Sequence, residues 1–199
     1  MTKLVFIRHG ETSKNVKGIL HDYNDSETLN ETGKKQIELT TDRIRVMSPT
    51  KIYSSTEPRA IKSAEIISQK LNIKRVKIND MHERNWGKFT GKPWSEIKTV
   101  LDPMSINERY NYVPPGGESW MQFEKRLIKT VDKVLDQNKD QTVVIVTHGG
   151  AIRALMPYLL NMPKEESFKY DPDNASITLF EYSNGTFVNV LVNDSSHLN

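Results

Sequence analysis

Two histidines in this chain each end an apolar run and are followed by glycine. Leu4-Val5-Phe6-Ile7 leads into Arg8-His9-Gly10-Glu11-Thr12, and Val143-Val144-Ile145-Val146 leads into Thr147-His148-Gly149-Gly150. An imidazole attacks phosphorus well when one ring nitrogen is held by a hydrogen bond and the other is unprotonated. Arginine forks match phosphate oxygens, and Arg8 and Arg59 supply two of them. Glycines after His148 let backbone come close to a phosphoryl oxygen, to which His148 itself can donate. A phosphoryl transition state spreads charge over its equatorial oxygens, so two arginines and a second imidazole are what its stabilisation calls for. Either His-Gly pair alone is a weak signal, because short motifs arise by chance. The pattern gains force only if the fold brings both pairs together.

The elements around them provide for that. Runs of four apolar, mostly β-branched residues bounded by glycine read as buried strands of a parallel sheet. In open α/β sheets ligands bind where strands end and helices begin. Predicted strands are Leu4–Ile7, Lys51–Ser54, Arg75–Ile78, Val143–Thr147, Ser176–Tyr182 and Thr186–Val192. The last two flank Ser183-Asn184-Gly185, a hairpin signal. Asn30 caps a helix from Glu31 to about Val46, and Thr56 one that starts at Glu57-Pro58. Ser119 and Gln122 have capping-box spacing. Trp120, Phe123, Leu127, Val131 and Val134 then form one apolar stripe. A further helix is expected from Ala151 to about Leu160. The stretch from Asn79 to Glu118 reads as irregular and holds most of the Trp, Gly and Pro residues, as suits a lid or pocket segment. Alternating strands and helices argue for a mostly parallel sheet covered on both faces, with an antiparallel edge hairpin.

Composition narrows the classes. The 199 residues suit a single domain with a sizeable core. Lys and Arg number 28 against 25 Asp and Glu, and the signs are interspersed, so no nucleic-acid arm is indicated. The absence of cysteine excludes disulfides, thiolate metal sites and thiol nucleophiles. The apolar run after Lys3 is too short for a signal peptide and nothing approaches a membrane span, so a cytoplasmic location is expected.

Arg8-His9-Gly10-Glu11-Thr12 with Asn15, Ser54-Ser55-x3-Arg59-Ala60 and Thr147-His148-Gly149-Gly150 together resemble the histidine phosphatase superfamily, which includes the cofactor-dependent phosphoglycerate mutases. The resemblance runs from Leu4 to about Ser176. It implies a three-layer α/β/α sandwich and a phosphohistidine at His9. It implies a phosphate pocket of Arg8, Arg59 and His148, with Asn15 and the Gly149 backbone as further contacts, and Glu83 as proton donor. The activity implied is metal-independent hydrolysis of a small phosphorylated metabolite, with no cofactor, nucleic acid or membrane as partner; a homodimer stays open. Pro115-Gly116-Gly117-Glu118-Ser119 looks closest to the α-ribazole and broad-specificity phosphatase branch. A mutase is the alternative, although the Arg-Arg pair and proline triplet of mutases are missing and Gly149-Gly150 replaces their Gly-Asn. An idle phosphoprotein-binding module is the third reading.

Several residues receive plainer readings. His21, His82 and His197 lack metal-ligand spacing, and no metal site is expected. Trp120 and Phe123 are assigned to the core, and Trp86 and Trp94 to loop packing or a pocket wall. Lys14, Lys17, Arg84, Lys88, Lys92 and Arg109 form a candidate basic rim. His21-Asp22 stands where the family often has Gln-Gly, an extra residue follows in Asp25-Ser26-Glu27-Thr28-Leu29, and Thr90 replaces a common glutamate.

Overall fold

The computed structural model describes residues 1–21 and 25–199, so Asp22 of the His21-Asp22 departure lies outside the described residues. Among the described residues six strands form one sheet: β1 (Thr2–Arg8), β2 (Lys51–Ser54), β3 (Arg75–Lys77), β4 (Thr142–Thr147), β5 (Ile177–Ser183) and β6 (Thr186–Asp194). Their order is β3-β2-β4-β1-β5-β6. The first four in that order run parallel, while β5 and β6 are antiparallel. Seven α-helices accompany them among the described residues: α1 (Ser13–Val16), α2 (Glu31–Arg45), α3 (Pro58–Leu71), α4 (Trp94–Leu101), α5 (Ile106–Asn111), α6 (Trp120–Gln137) and α7 (Gly149–Leu160).

The period-two alternation of β1 and β4 sorts their side chains to two cores. Leu4, Phe6, Val143 and Ile145 face α6 and α7, where Phe123, Leu127, Val131, Ile152 and Leu155 are buried. Val5, Ile7, Val144 and Val146 face α2 and α3, against Ile37, Ile44, Ala64 and Ile67. This is the expected three-layer sandwich. Burying each such side chain contributes about 1.5–3 kcal/mol, which makes the two central strands the rigid support for whatever follows them. Asn184 and Gly185, at φ 51° and 80°, adopt the two left-handed positions that the hairpin turn needs.

Three local expectations are corrected. Glu57, not Thr56, is the N-cap of α3, and its side chain makes no capping bond. The helix starts where Pro58, with its fixed φ, permits. α7 begins at Gly149 rather than Ala151, which makes His148 its N-cap. Residues 79–118 are not irregular throughout, since they contain α4 and α5. The Ser105–Glu108 capping box of α5 was readable in the sequence, whereas α4 follows Pro93 with no side-chain cap.

Candidate active site

β1 and β4 lie side by side in register, Arg8 opposite Thr147. The next backbone bond, from the His9 amide to the Thr147 carbonyl at 2.9 Å, fastens the two strand ends together. His9 is therefore held at its backbone before its side chain makes any contact. Its carbonyl accepts from Asn174 Nδ2 at 3.1 Å and from the Ala175 amide at 3.2 Å. Its ring Nδ1 lies 2.8 Å from the Gly10 carbonyl, so Nδ1 carries the proton and Nε2 keeps its lone pair. With 3% of its surface exposed, the imidazole is held well below its usual range by burial, then by Arg59, His148 and Arg8. The imidazole is therefore neutral at neutral pH.

His148 sits beside it, ring centroids 5.3 Å apart. Its Nε2 is 2.7 Å from Ser55 Oγ and 3.0 Å from Glu57 Oε2, while Nδ1 is buried without a hydrogen-bond partner. Arg59, in the first turn of α3, is likewise buried, and its Nε and Nη1 have no partner. Arg8 donates from Nη1 to the Pro172 carbonyl, and its Nε too lacks a partner. Buried donors are normally satisfied, so two arginines with unmatched N–H groups beside the His9 imidazole mark a place prepared for an anion.

Glu83 enters from the segment after β3. Its Oε2 accepts from the Gly150 amide at 2.9 Å and its Oε1 from the Arg84 amide at 2.8 Å. A Cβ at position 150 would overlap the Glu83 carboxylate, and one at 149 would crowd Arg8 Nε at 3.3 Å. The Gly149-Gly150 pair is thus the space in which acid and arginine meet the start of α7.

A cavity of about 460 Å³ opens above this floor. Arg8, His9, Asn15, Glu83 and Gly149 line it, and Arg59 and His148 are buried next to His9. Asn15 has a second task. Its Oδ1 accepts from the Thr12 amide and hydroxyl and from Asn174 Nδ2, closing the capping box of α1.

The outer wall is aromatic and basic. Trp86 and Trp94 meet edge to face, centroids 5.6 Å apart, and both line the cavity while packing in a small core with Ile97 and Leu101. The Arg84 guanidinium stacks 4.2 Å over Trp86 and 5.7 Å from Trp120. It donates to the Glu118 and Tyr112 carbonyls, and burial lowers it to about 10. Trp120, expected in the core, is buried but also lines the cavity. Of the basic rim, only Arg84 and Arg109 line the cavity. Lys14, Lys92 and Arg109 are paired with Asp25, Glu96 and Asp102.

Two residues at this site had no functional reading in the sequence. Glu57 is 2% exposed and bonds Ser55, His148 and the Glu83 amide. A carboxylate between Ser55 and Arg59 in a strand-to-helix turn was the available signal. His21 lines the cavity, its ring 5.9 Å from His9, with Nε2 3.0 Å from Thr12 Oγ1. Its Nδ1 faces Asp25 and Glu27, and the three ligand atoms lie within 4.8 Å of one another. They are the group among the described residues with spacing suited to a cation, and the Lys14 ammonium already bonds Asp25 there.

The sequence profile of the histidine phosphatase superfamily (branch 1) matches residues 4–195. A 2,3-bisphosphoglycerate-dependent phosphoglycerate mutase of Thermoplasma acidophilum is 31% identical over 181 residues, spanning 91% of this chain and 88% of that protein. A metal-independent phosphoserine phosphatase of Arabidopsis thaliana is 31% identical over 162 residues, 78% of this chain and 67% of that one. The crystal structure of a phosphoserine phosphatase mutant from Entamoeba histolytica, in complex with phosphoserine, superposes with a TM-score of 0.89 at 26% identity over the full length of both chains.

Proposed function

Because the chain belongs to the histidine phosphatase superfamily (branch 1), we propose that it hydrolyses the phosphate ester of a small metabolite, without a metal, through a phosphohistidine on His9. The observation that carries this reading is the neutral His9 imidazole, anchored through Nδ1 and set among Arg8, Arg59 and His148 under a cavity walled by Glu83. Nε2 attacks phosphorus in line as the bond to the leaving oxygen breaks, and Glu83 gives that oxygen its proton. Glu83, now a carboxylate, then takes a proton from the water that attacks the phosphohistidine, which frees His9 and inorganic phosphate. Arg8, Arg59 and His148 meet the charge on the equatorial oxygens, with Asn15 and the Gly149 amide as further donors. Two guanidinium groups supply the positive charge that a metal supplies in other phosphatases.

Residues 79–118 act as the lid and pocket wall that selects the leaving group, within one domain spanning residues 1–199. The substrate class is a small phosphorylated metabolite, and the names of relatives put phosphoserine and phosphoglycerates first in the panel to be tried. A phosphoglycerate mutase is the second reading, favoured by the Thermoplasma relative. It is disfavoured by Gly150, where the mutases' asparagine would collide with Glu83 as it stands here.

Rapid quenching with labelled substrate tests the reading. An acid-labile, alkali-stable phosphoenzyme is expected, absent in His9→Ala. Label on a serine, or full turnover by His9→Ala, overturns it. Chelator-treated enzyme is expected to keep its activity and vanadate to inhibit; loss on chelation with recovery on adding magnesium overturns metal independence. Given 3-phosphoglycerate and a bisphosphoglycerate primer, slow phosphate release is expected, and efficient formation of 2-phosphoglycerate selects the mutase reading.

A further inference from the structure

Glu57 is a buried carboxylate that the reaction above does not use. Its Oε2 accepts from Ser55 Oγ at 2.7 Å and lies 3.0 Å from His148 Nε2; its Oε1 accepts from the Glu83 amide at 2.8 Å and lies 3.7 Å from Arg59 Nη2. Burial alone would raise this carboxyl, but His148, Arg59 and the Glu83 amide together hold it well below the usual carboxylate range, so it is ionised.

The protons in this cluster can be counted. An ionised carboxylate only accepts, so the single Ser55 hydroxyl proton goes to Glu57. Ser55 then offers His148 Nε2 a lone pair, and Glu57 offers it another. Nε2 faces two acceptors at 2.7 and 3.0 Å and must carry a proton. In neutral His148 the other nitrogen, Nδ1, is therefore a bare lone pair. That is the buried nitrogen left without a hydrogen-bond partner, on a ring whose centroid lies 5.3 Å from that of His9. A bare nitrogen repels a phosphoryl oxygen. It can donate to one only if the ring gains a second proton.

We propose that Glu57 is a positioning residue that forces His148 to take up one proton from solvent when an oxyanion binds, so that the second imidazole acts as an imidazolium. Without a carboxylate here, the Ser55 hydroxyl could turn and donate to Nε2, and a neutral ring could donate from Nδ1. With Glu57 that route is closed. The inference rests on the proposed phosphate site and adds how that site acquires its third positive charge.

The surroundings fit a proton that arrives with the ligand. In the free site burial and Arg59 oppose charge on His148, while Glu57 and Glu83 favour it, and the balance keeps the ring below its usual range; the neighbouring His9 and His21 rings are themselves held neutral. Arg8 adds its charge at His9. A dianion placed among these cations reverses the balance.

Tungstate, a dianion near neutral pH that cannot be hydrolysed, is the probe. The Glu83→Gln background removes the other carboxylate able to take up a proton. In that background tungstate is expected to weaken about tenfold per pH unit above neutrality, with close to one proton taken up by calorimetry in buffers of different ionisation enthalpy. Adding Glu57→Gln, whose amide can donate to Nε2, is expected to flatten the dependence to within about twofold and abolish the uptake. Nitrogen-15 spectra of tungstate-bound protein with Glu57 intact give the direct reading: both His148 nitrogens protonated. One protonated nitrogen in that spectrum overturns the proposal even if the Glu57 variant does not fold. Failure of tungstate to bind at all overturns the phosphate-site reading instead, so the two failures are distinct.

Discussion

The floor and the outer wall of the cavity are built on different principles. On the floor, titratable side chains are fixed through backbone: His9, at the end of β1, through Thr147, Ala175 and Gly10, and Glu83, after β3, through Gly150 and Arg84. In the wall, Arg84 and its tryptophans fix one another by stacking, and the chain that carries them is made of short helices and turns. A floor bonded to the sheet can hold reacting atoms to within about 0.5 Å, as the proposed phosphohistidine route demands. A wall of stacked rings is adjustable by repacking, as choice of leaving group demands. The two regions should therefore fail in different ways when altered.

The largest effect is expected on the floor. His9→Ala should lower turnover on the order of 10⁴–10⁶-fold, because the covalent route is lost, while thermal unfolding stays near that of the parent. A variant that keeps its rate would erase the distinction between the two regions. Glu83→Gln comes next. An alkoxide leaves poorly without a proton, so single-turnover rates should fall about 10²–10⁴-fold for an alkyl phosphate and far less for a nitrophenyl ester. Equal losses on both would mean that Glu83 only holds its loop. Gly150→Ala should imitate that pattern in weaker form, since the added methyl displaces the same carboxylate.

For the wall, Arg84→Lys loses the planar stack on Trp86 and the paired bonds to the Glu118 and Tyr112 carbonyls, about 1–3 kcal/mol of stability. Its KM values across a panel of phosphate esters should change order, with kcat on a nitrophenyl ester within a few-fold of the parent. A uniform fall in kcat would place Arg84 with the floor.

The smallest effect concerns pH. His21 is lowered from 6.5 to about 3, by burial first and then by Arg59. A histidine held neutral on folding contributes stability that is complete above its unfolded value and is lost as pH falls through it. Denaturant unfolding should therefore show about 2 kcal/mol lost to this residue between pH 6.5 and 5. His21→Gln should remove that part of the slope, leaving the acid sensitivity due to His9 and His148, which has the same sign.

The same contrast explains what could be read in the sequence. Arg8, His9, Arg59 and His148 each adjoin a local signal, an apolar run ending in His-Gly or a helix start after Ser54-Ser55, and the parallel sheet does the rest, whereas Glu83 was legible only through the resemblance. Glu57 went unassigned because its role depends on His148, 91 residues away, and nothing in Thr56-Glu57-Pro58 announces that partner. Asn15 was legible as a phosphate contact by resemblance, yet its spacing from Thr12 also spelled a capping box, and the structure gives it that task. The wall was least legible. Arg84 finds Tyr112, Glu118 and Trp120 only after the chain has doubled back, and no periodicity records a stack of that kind.

β1 lies between β4 and β5, neither of which is contiguous with it: Lys3 pairs with Thr142 and with Glu181. During synthesis β1 emerges well before either neighbour exists, since Thr142 follows its partner Lys3 by 139 positions. Closing so long a loop is entropically costly and slow, and an unpaired strand of Leu, Val, Phe and Ile invites the wrong neighbour in the meantime. His9, at the end of β1, is thus made long before it is put in place, and a nascent fragment that stops short of β4 exposes an unpaired apolar strand.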